Sequence, residues 1–374
     1  MWKKRIIWAA VGVSAAALIA LFVLALALTH GGSTVFDPPE PRTYADTDRL
    51  QIVTVQMQWN LPDFASCDAF ETAIARLMDD GMARVDPDYP ALFVFPELLG
   101  APLYLDGDFE QAIGEDTFAG AMEVVVKRNL VGVLFHMARF RVSPARALFL
   151  TKGHIAGRTY VETFSQLARA HGVYISAGSI PLPAFPLAED GSRLAYTVRG
   201  PEVHNVSYLF GPDGRIVSRQ RKAFLTALED ADGLDLTPGG VDALEVVEIP
   251  GARIGMAICL DGFKDEAVDR LVELGADILL QPSANPGRWS PGEQENWLLS
   301  AWRQVQRWPE LRCAVNPMMN GNLFDLVFEG QSAVIVHEDD AKPGLTYQDV
   351  PSTGGFLALA SQPDTEEILV TILE

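Results

Sequence analysis

The sequence predicts a mixed α/β sandwich carried behind one N-terminal transmembrane helix. Three observations predict it. From residue 50 onward short apolar runs alternate with amphipathic stretches, several of the short runs come in pairs around Pro/Gly turns, and residues 6–28 contain no formal charge. Alternation alone suits a parallel sheet, but the paired runs make the sheets mixed. No internal repeat is present, which argues against a solenoid or propeller.

Residues 6–28 follow Lys3, Lys4 and Arg5. At about 1.5 Å per residue such a run makes roughly 35 Å of helix, enough to cross a hydrocarbon core with some tilt. The next Lys or Arg is Arg42, so the positive-inside bias puts residues 1–5 in the cytoplasm as a basic tip and everything after the span outside it. A cleaved signal peptide is the rival reading, with Ala25-Leu26-Ala27 as the small-residue site. Signal cores run only about 7–15 residues, and the length here favours a single-pass anchor. Residues 29–47, rich in Gly, Pro and Asp, read as a linker. Residues 48–374 then form one globular domain.

LQIVTVQ (50–56) suits a strand and CDAFETAIARLMDDG (67–81) a helix, with Phe70, Ile74 and Leu77 along one face. ALFVF (91–95) is a short apolar strand between prolines. TYVETFSQLARAHG (159–172) reads as a helix stopped by Gly172, and VYISAGS (173–179) as a buried strand. NVSYLFGPDGRIVSRQRK (205–222) is a hairpin around Gly-Pro-Asp-Gly. ALEVVEI (243–249) and RIGMAI (253–258) are strands joined at Pro250-Gly251, KDEAVDRLVELG (264–275) a helix, and ADILLQPS (276–283) a strand. QENWLLSAWRQVQRW (294–308) is helical, and CAVNP (313–317), QSAVIV (331–336), FLALA (356–360) and ILVTIL (368–373) complete the strands.

The net charge of −20 makes nucleic acid an unsuitable partner, because the phosphate backbone would be repelled. Cys67, Cys259 and Cys313 form no disulfide framework, and neither they nor the six histidines show metal-ligand spacing. Asn205-Val206-Ser207 fits a glycosylation sequon but falls where a strand is predicted to start.

Three reactive side chains share a local setting. Glu97 follows ALFVF, Lys222 ends RIVSRQRK and Cys259 ends RIGMAI. If those strands run side by side, all three project from strand ends, where open α/β sheets place their ligand crevice. A carboxylate can take the thiol proton, the thiolate can attack a carbonyl, and the ammonium can stabilise the oxyanion. Singly, each has a plainer reading: a small buried thiol, a solvated glutamate, a surface lysine. Together they form a coherent catalytic set.

VFPELLG (94–100), RQRKAFL (219–225) and MAICLDGF (256–263) resemble, in this order, the three signature segments of the nitrilase superfamily of carbon–nitrogen hydrolases. GADILLQPSA (275–284), Asn316 and FEGQSAVIV (328–336) are secondary echoes. The resemblance covers roughly residues 48–374. It implies an αββα sandwich that commonly pairs into a homodimer or higher homo-oligomer. It also implies Glu97 as base, Lys222 as oxyanion lysine, Cys259 as nucleophile, a backbone N–H at Leu260 as second oxyanion donor, and a small-molecule amide as substrate. No metal or organic cofactor is required. A second glutamate often follows the lysine, and Glu229 is the best match. Asn285 and Trp289, in the loop after ADILLQPS, are expected to line the pocket.

Leu260 replaces the tyrosine or tryptophan common after the cysteine, and Cys-Leu-Asp leans towards amide or carbamoyl substrates rather than nitriles. The gap from Glu97 to VYISAGS is about twice the expected length, so an insertion spans about residues 100–158. Within it, EVVVKRNLVGVLFHMARFRV (123–142) is apolar and basic. It reads as an added helix packed on the sandwich, or as an arm that touches the bilayer or lids the pocket. An N-acyltransferase passing the same thioester to an amine, nitrile hydrolysis, and a non-catalytic binding module are the alternatives to amide hydrolysis.

Overall fold

Side-chain alternation along the strands sets the layers. The computed structural model describes residues 30–35, 49–351 and 353–373. The expected transmembrane segment, residues 6–28, and residues 36–47 of the expected linker lie outside the described residues. No helix among the described residues is long and apolar enough to cross a membrane.

In chain order the strands are β1 (His30–Val35), β2 (Leu50–Trp59), β3 (Ala91–Val94), β4 (Tyr174–Ser176), β5 (Ile180–Pro183), β6 (Arg193–Thr197), β7 (Val203–Phe210), β8 (Ile216–Arg221) and β9 (Val246–Ile249). They continue as β10 (Ala252–Met256), β11 (Ile278–Leu280), β12 (Ser283–Ala284), β13 (Cys313–Asn316), β14 (Met318–Leu323), β15 (Leu326–Phe328), β16 (Ala333–Val336), β17 (Phe356–Leu359) and β18 (Glu367–Leu373).

Two mixed sheets result. The larger runs β12-β14-β2-β3-β4-β7-β5, with β15 on β14, β18 on β2 and β8 on β7; the other runs β17-β16-β13-β11-β10-β9. In β2, Val53, Val55 and Met57 face a core shared with Phe70, Ile74 and Leu77 of the helix Cys67–Met82 and with Tyr160 and Phe164 of the helix Pro144–His171. Leu50 and Ile52, one pleat away, join Leu92 and Val94 of β3 in a second core with Ile254, Met256, Ile278 and Leu280 of the smaller sheet. That sheet is covered in turn by Ala267 and Leu271 of the helix Asp265–Glu273 and by Val305 of the helix Arg303–Arg307. Period-two alternation thus buries both faces of each sheet. The α/β architecture with two mixed sheets agrees with the sequence reading.

Several elements differ from expectation. Part of the expected linker, His30–Val35, is a strand paired antiparallel with β6. Backbone hydrogen bonds in a strand pair need no hydrophobic period, so a Gly-rich stretch without one can still pair. The helix expected over 159–172 begins instead at Pro144, with Ser143 capping it by accepting from Arg146 N–H. Proline at the first helical position after a serine is a strong start signal. The 123–142 segment is not one helix but parts of two, Phe118–Arg128 and Leu130–Phe140, broken at Asn129.

Asn129 turns its side chain onto Asp108, whose carboxylate also accepts from Arg128 and from buried Lys152. This cluster ties the insertion to the long helix. The helix over 294–308 is interrupted: Pro291–Trp297 and Arg303–Arg307 flank a wide turn at Leu298–Trp302, where Ser300 leaves helical geometry. There the Gln281 side chain accepts from Ala301 N–H and Ser300 Oγ bonds back to Trp297 O.

Candidate active site

The strands carrying the three reactive residues do not lie side by side. Glu97 leaves β3 and Lys222 leaves β8, both in the larger sheet with β4 and β7 between them, whereas Cys259 leaves β10 of the smaller sheet. The residues meet because the two sheets face one another. All three are buried, with Lys222 and Glu97 at 1% exposure and Cys259 at 7%.

Each is delivered by a constrained backbone. Cys259 has φ +48° and Leu98, directly after Glu97, has φ +56°. Non-glycine residues in this region store strain that surrounding structure must hold. For Cys259 the hold is its own N–H to Pro282 O at 3.0 Å, and Gln281 Nε2 on its carbonyl at 2.8 Å. For Leu98 it is the N–H bond to Ser179 Oγ at 2.9 Å. Gly178 (φ +70°) lies so close that a Cβ there would sit 2.0 Å from Pro96 O. Lys222 extends the β7–β8 hairpin by one bond, its N–H donating to Asn205 O at 2.9 Å.

Lys222 Nζ bridges two carboxylates, Glu97 Oε1 at 2.7 Å and Glu229 Oε2 at 2.5 Å. Asn205 Nδ2 bridges the same pair, 2.9 Å from Glu97 Oε1 and 2.7 Å from Glu229 Oε1. Glu97 Oε2 accepts from Ala284 N–H at 3.1 Å, and Cys259 shares the cavity with the Glu97 carboxylate. Glu229 is anchored from behind by Thr226 N–H and Oγ1, at 3.0 and 2.9 Å.

Burial raises the Glu97 carboxyl above its usual range; Lys222 pulls it down, but Glu229 pushes it up again. Burial would lower Lys222, yet the charges of Glu97 and Glu229 outweigh it and hold the ammonium firmly protonated. Glu229 stays below its usual range because Lys222, Thr226 and Asn205 overcome its desolvation. Burial, then the negative charge of Glu97, pushes the Cys259 thiol far up. The resting set is therefore a neutral thiol beside a carboxylate of raised basicity, with the lysine charged.

These groups form the floor of a cavity of about 350 Å³. Leu260 and Asn285 line it as expected, and Leu260 is the second residue of the short turn Cys259–Phe263, where N–H groups lack partners within the turn. Trp289 does not line it. Its ring packs edge-on against Tyr347 at 5.3 Å and its indole N–H donates to Gln331 Oε1 at 3.0 Å, behind the wall. The tryptophan that reaches the cavity is Trp297, on the following helix, with Phe263 edge-on at 5.1 Å.

Sequence reasoning also missed Asn205 and Asp261. Asn205 is completely buried, so the sequon that it opens is closed to modification. Asp261 accepts from Ala223 N–H, Phe224 N–H and Ile258 N–H, tying the lysine segment to the cysteine turn. Burial pushes its carboxyl up to about 7 against the pull of those donors. Its place two residues after the cysteine was the available signal. No group of residues suited to a metal ion is found among the described residues.

Residues 144–335, just over half of the chain, match the family described as carbon–nitrogen hydrolase. The chain belongs to the carbon–nitrogen hydrolase family. The matched span holds Lys222 and Cys259, while Glu97 precedes it across the insertion.

Among curated proteins, this family member is 29% identical over 139 residues to omega-amidase NIT2 of Xenopus tropicalis, 34% of this chain and 44% of that protein. Human omega-amidase NIT2 is 26% identical over the same shares. Deaminated glutathione amidase of Rattus norvegicus is 29% identical over 160 residues, 39% of this chain and 44% of that protein. The chain thus spans less than half the length of these relatives. Saccharomyces cerevisiae Nit3, a member of branch 10 of the nitrilase superfamily, superimposes with a TM-score of 0.53 at 19% identity, covering 89% of this chain and 93% of that one. A carbon–nitrogen hydrolase from Helicobacter pylori G27 gives 0.53 at 20% identity, over 87% and 89%. These likenesses show the nitrilase-like fold.

Proposed function

We propose that the protein hydrolyses the carbon–nitrogen bond of small amides through a thioester on Cys259. The observation that carries this reading is the buried Glu97 carboxylate, held by Lys222, beside Cys259 on the floor of an open cavity. Glu97 takes the thiol proton as the sulfur adds to the substrate carbonyl. Lys222 Nζ and the Leu260 N–H stabilise the oxyanion. Glu97 returns the proton to the leaving nitrogen, the carbon–nitrogen bond breaks, and the thioester remains. Water then attacks it, giving a proton to Glu97 that ends on the cysteine sulfur as the acid leaves. The raised basicity of Glu97 suits a group that must both take and give that proton. Amidase names among the relatives support an amide rather than a nitrile.

Cys259→Ala should abolish both ammonia release and the mass increase of an acylated protein. Retained turnover would sink the reading. We propose further that residues 6–28 anchor the chain with this domain outside the cytoplasm, as the charge asymmetry around them suggests, and that the domain pairs with itself. Release of the full chain from membranes by alkaline carbonate would refute the anchor, and a monomeric mass by light scattering would refute the pairing.

A further inference from the structure

The cavity holds more information than its floor. Above the reacting groups its wall is made by Leu98, Leu228, Leu260, Phe263, Trp297 and Phe328. Among the described lining residues the charged groups are only Glu97, Glu229 and Lys222, two carboxylates against one ammonium. That ammonium already donates to both carboxylates. The nearest cation in the loop beyond Asn285 is Arg288, which does not line the cavity: its side chain is 77% exposed and is paired with Glu329. Glu329 O also takes the Asn285 amide, at 3.1 Å. A substrate carboxylate entering this cavity would lose its water, find no free cation and face a net negative floor. Burying an unpaired charge is among the costliest events in a protein interior, whereas each apolar group added against such a wall gains binding.

Resting on the hydrolase reading above, we propose that the substrates are neutral amides with an apolar substituent, and that the site discriminates against amides carrying a second, anionic group. The carbonyl and the scissile bond sit on the polar floor, and the apolar substituent lies against Trp297, Phe328 and the leucines. Chain length then registers as binding energy that carries into the transition state. Asn296 and Pro286, exposed at the edge of the cavity, mark where a longer chain would emerge into solvent.

The test uses matched pairs of amides with the full-length protein: butanamide against succinamate, and pentanamide against glutaramate, followed by ammonia release. Each pair differs by a terminal methyl replaced with a carboxylate. The neutral member should exceed the anionic one in kcat/KM by about 100-fold or more, since a site without a partner for a charged group rejects it strongly. From propanamide to hexanamide kcat/KM should climb by about threefold to fourfold per methylene. Leu228→Arg, which places a cation in the wall, should narrow the pentanamide–glutaramate gap by at least about tenfold. Equal or better turnover of the anionic members by the unmodified protein overturns the proposal while leaving the hydrolase reading intact. Failure to hydrolyse any member, with no acylation of Cys259, overturns both.

Discussion

Replacing Glu229 by Gln tests whether this residue tunes the site or merely fills it. Both of its oxygens accept: Oε1 from Asn205 Nδ2, and Oε2 from Lys222 Nζ, Thr226 N–H and Thr226 Oγ1. Glutamine has one acceptor and one donor end. The three donors around Oε2 will keep the amide oxygen there, so the new NH2 must face the Asn205 NH2 across a gap that is now 2.7 Å. Two buried donors in that position cost about 1–3 kcal/mol, which is relieved only by moving Asn205. Asn205 also donates to Glu97 Oε1, so Glu97 moves with it or loses that bond.

The charge change acts in the same direction. Glu229 raises the Glu97 carboxyl, so its neutralisation lowers it and leaves Lys222 paired with Glu97 alone. A weaker, misplaced base follows. We expect kcat/KM for pentanamide to fall by about 10- to 100-fold, and the acid limb of its pH profile to move to lower pH. Steady-state kinetics from pH 4 to 9, with thermal unfolding to confirm the fold, supply the readout. A kcat/KM within twofold of the parent and an unshifted acid limb would refute the reasoning, leaving Glu229 a packing residue.

In the parent protein the acid limb should lie above the ordinary glutamate value of 4.5, because the raised Glu97 must be ionised to accept the thiol proton and activity is lost as pH falls through its pKa. A limb at or below 4.5 would contradict Glu97 as the base. Gly178→Ala would bring its Cβ to 2.0 Å from Pro96 O at a φ of +70° and so push on the Glu97 turn; kcat should fall at least about tenfold, with a lowered melting temperature. Asp108→Ala leaves Lys152, 4% exposed, without its carboxylate, and should cost about 3–5 kcal/mol in urea unfolding while the folded fraction keeps its kcat, since neither residue lines the cavity. Adding Lys152→Met should recover part of that loss; no recovery would show that the ion pair is not the source.

Glu97, Lys222 and Cys259 were legible as a set: each stands at or just after a strand end, and the three motifs that hold them follow in order, although no one position decides alone. Glu229 was named only through the resemblance, as the glutamate that best matches the one expected after the lysine. Asn205 was not legible: it reads as one more residue in a strand, and only the tertiary fold brings Glu97 and Glu229, 108 and 24 positions away, to its amide. Trp289 and Trp297 share a tryptophan-rich stretch, and choosing between them depends on Gln331 and Tyr347, remote in sequence, which hold Trp289 behind the wall. The strands themselves were mostly visible, but membership of one sheet or the other was not. Buried strands of both sheets are continuous apolar runs, so nothing local distinguishes them. The two-helix insertion escaped for the opposite reason. Its helical character continues past Asn129, and the break depends on a bond to Asp108, 21 positions away.

Because Glu97 and Cys259 come from different sheets, no single strand fixes their separation. It is set by how Leu50, Ile52, Leu92 and Val94 pack on Ile254, Ile278 and Leu280, and by Asp261, whose carboxylate joins the lysine segment to the cysteine turn. Cys259 and Leu98 both carry strained φ angles, and both line the cavity. A packed interface is stiff, so it can hold these strained turns in place. The same construction makes the thioester's fate a question of access. Under the proposed mechanism Glu97 would activate whichever nucleophile reaches the carbonyl, and its chemistry does not distinguish water from an amine.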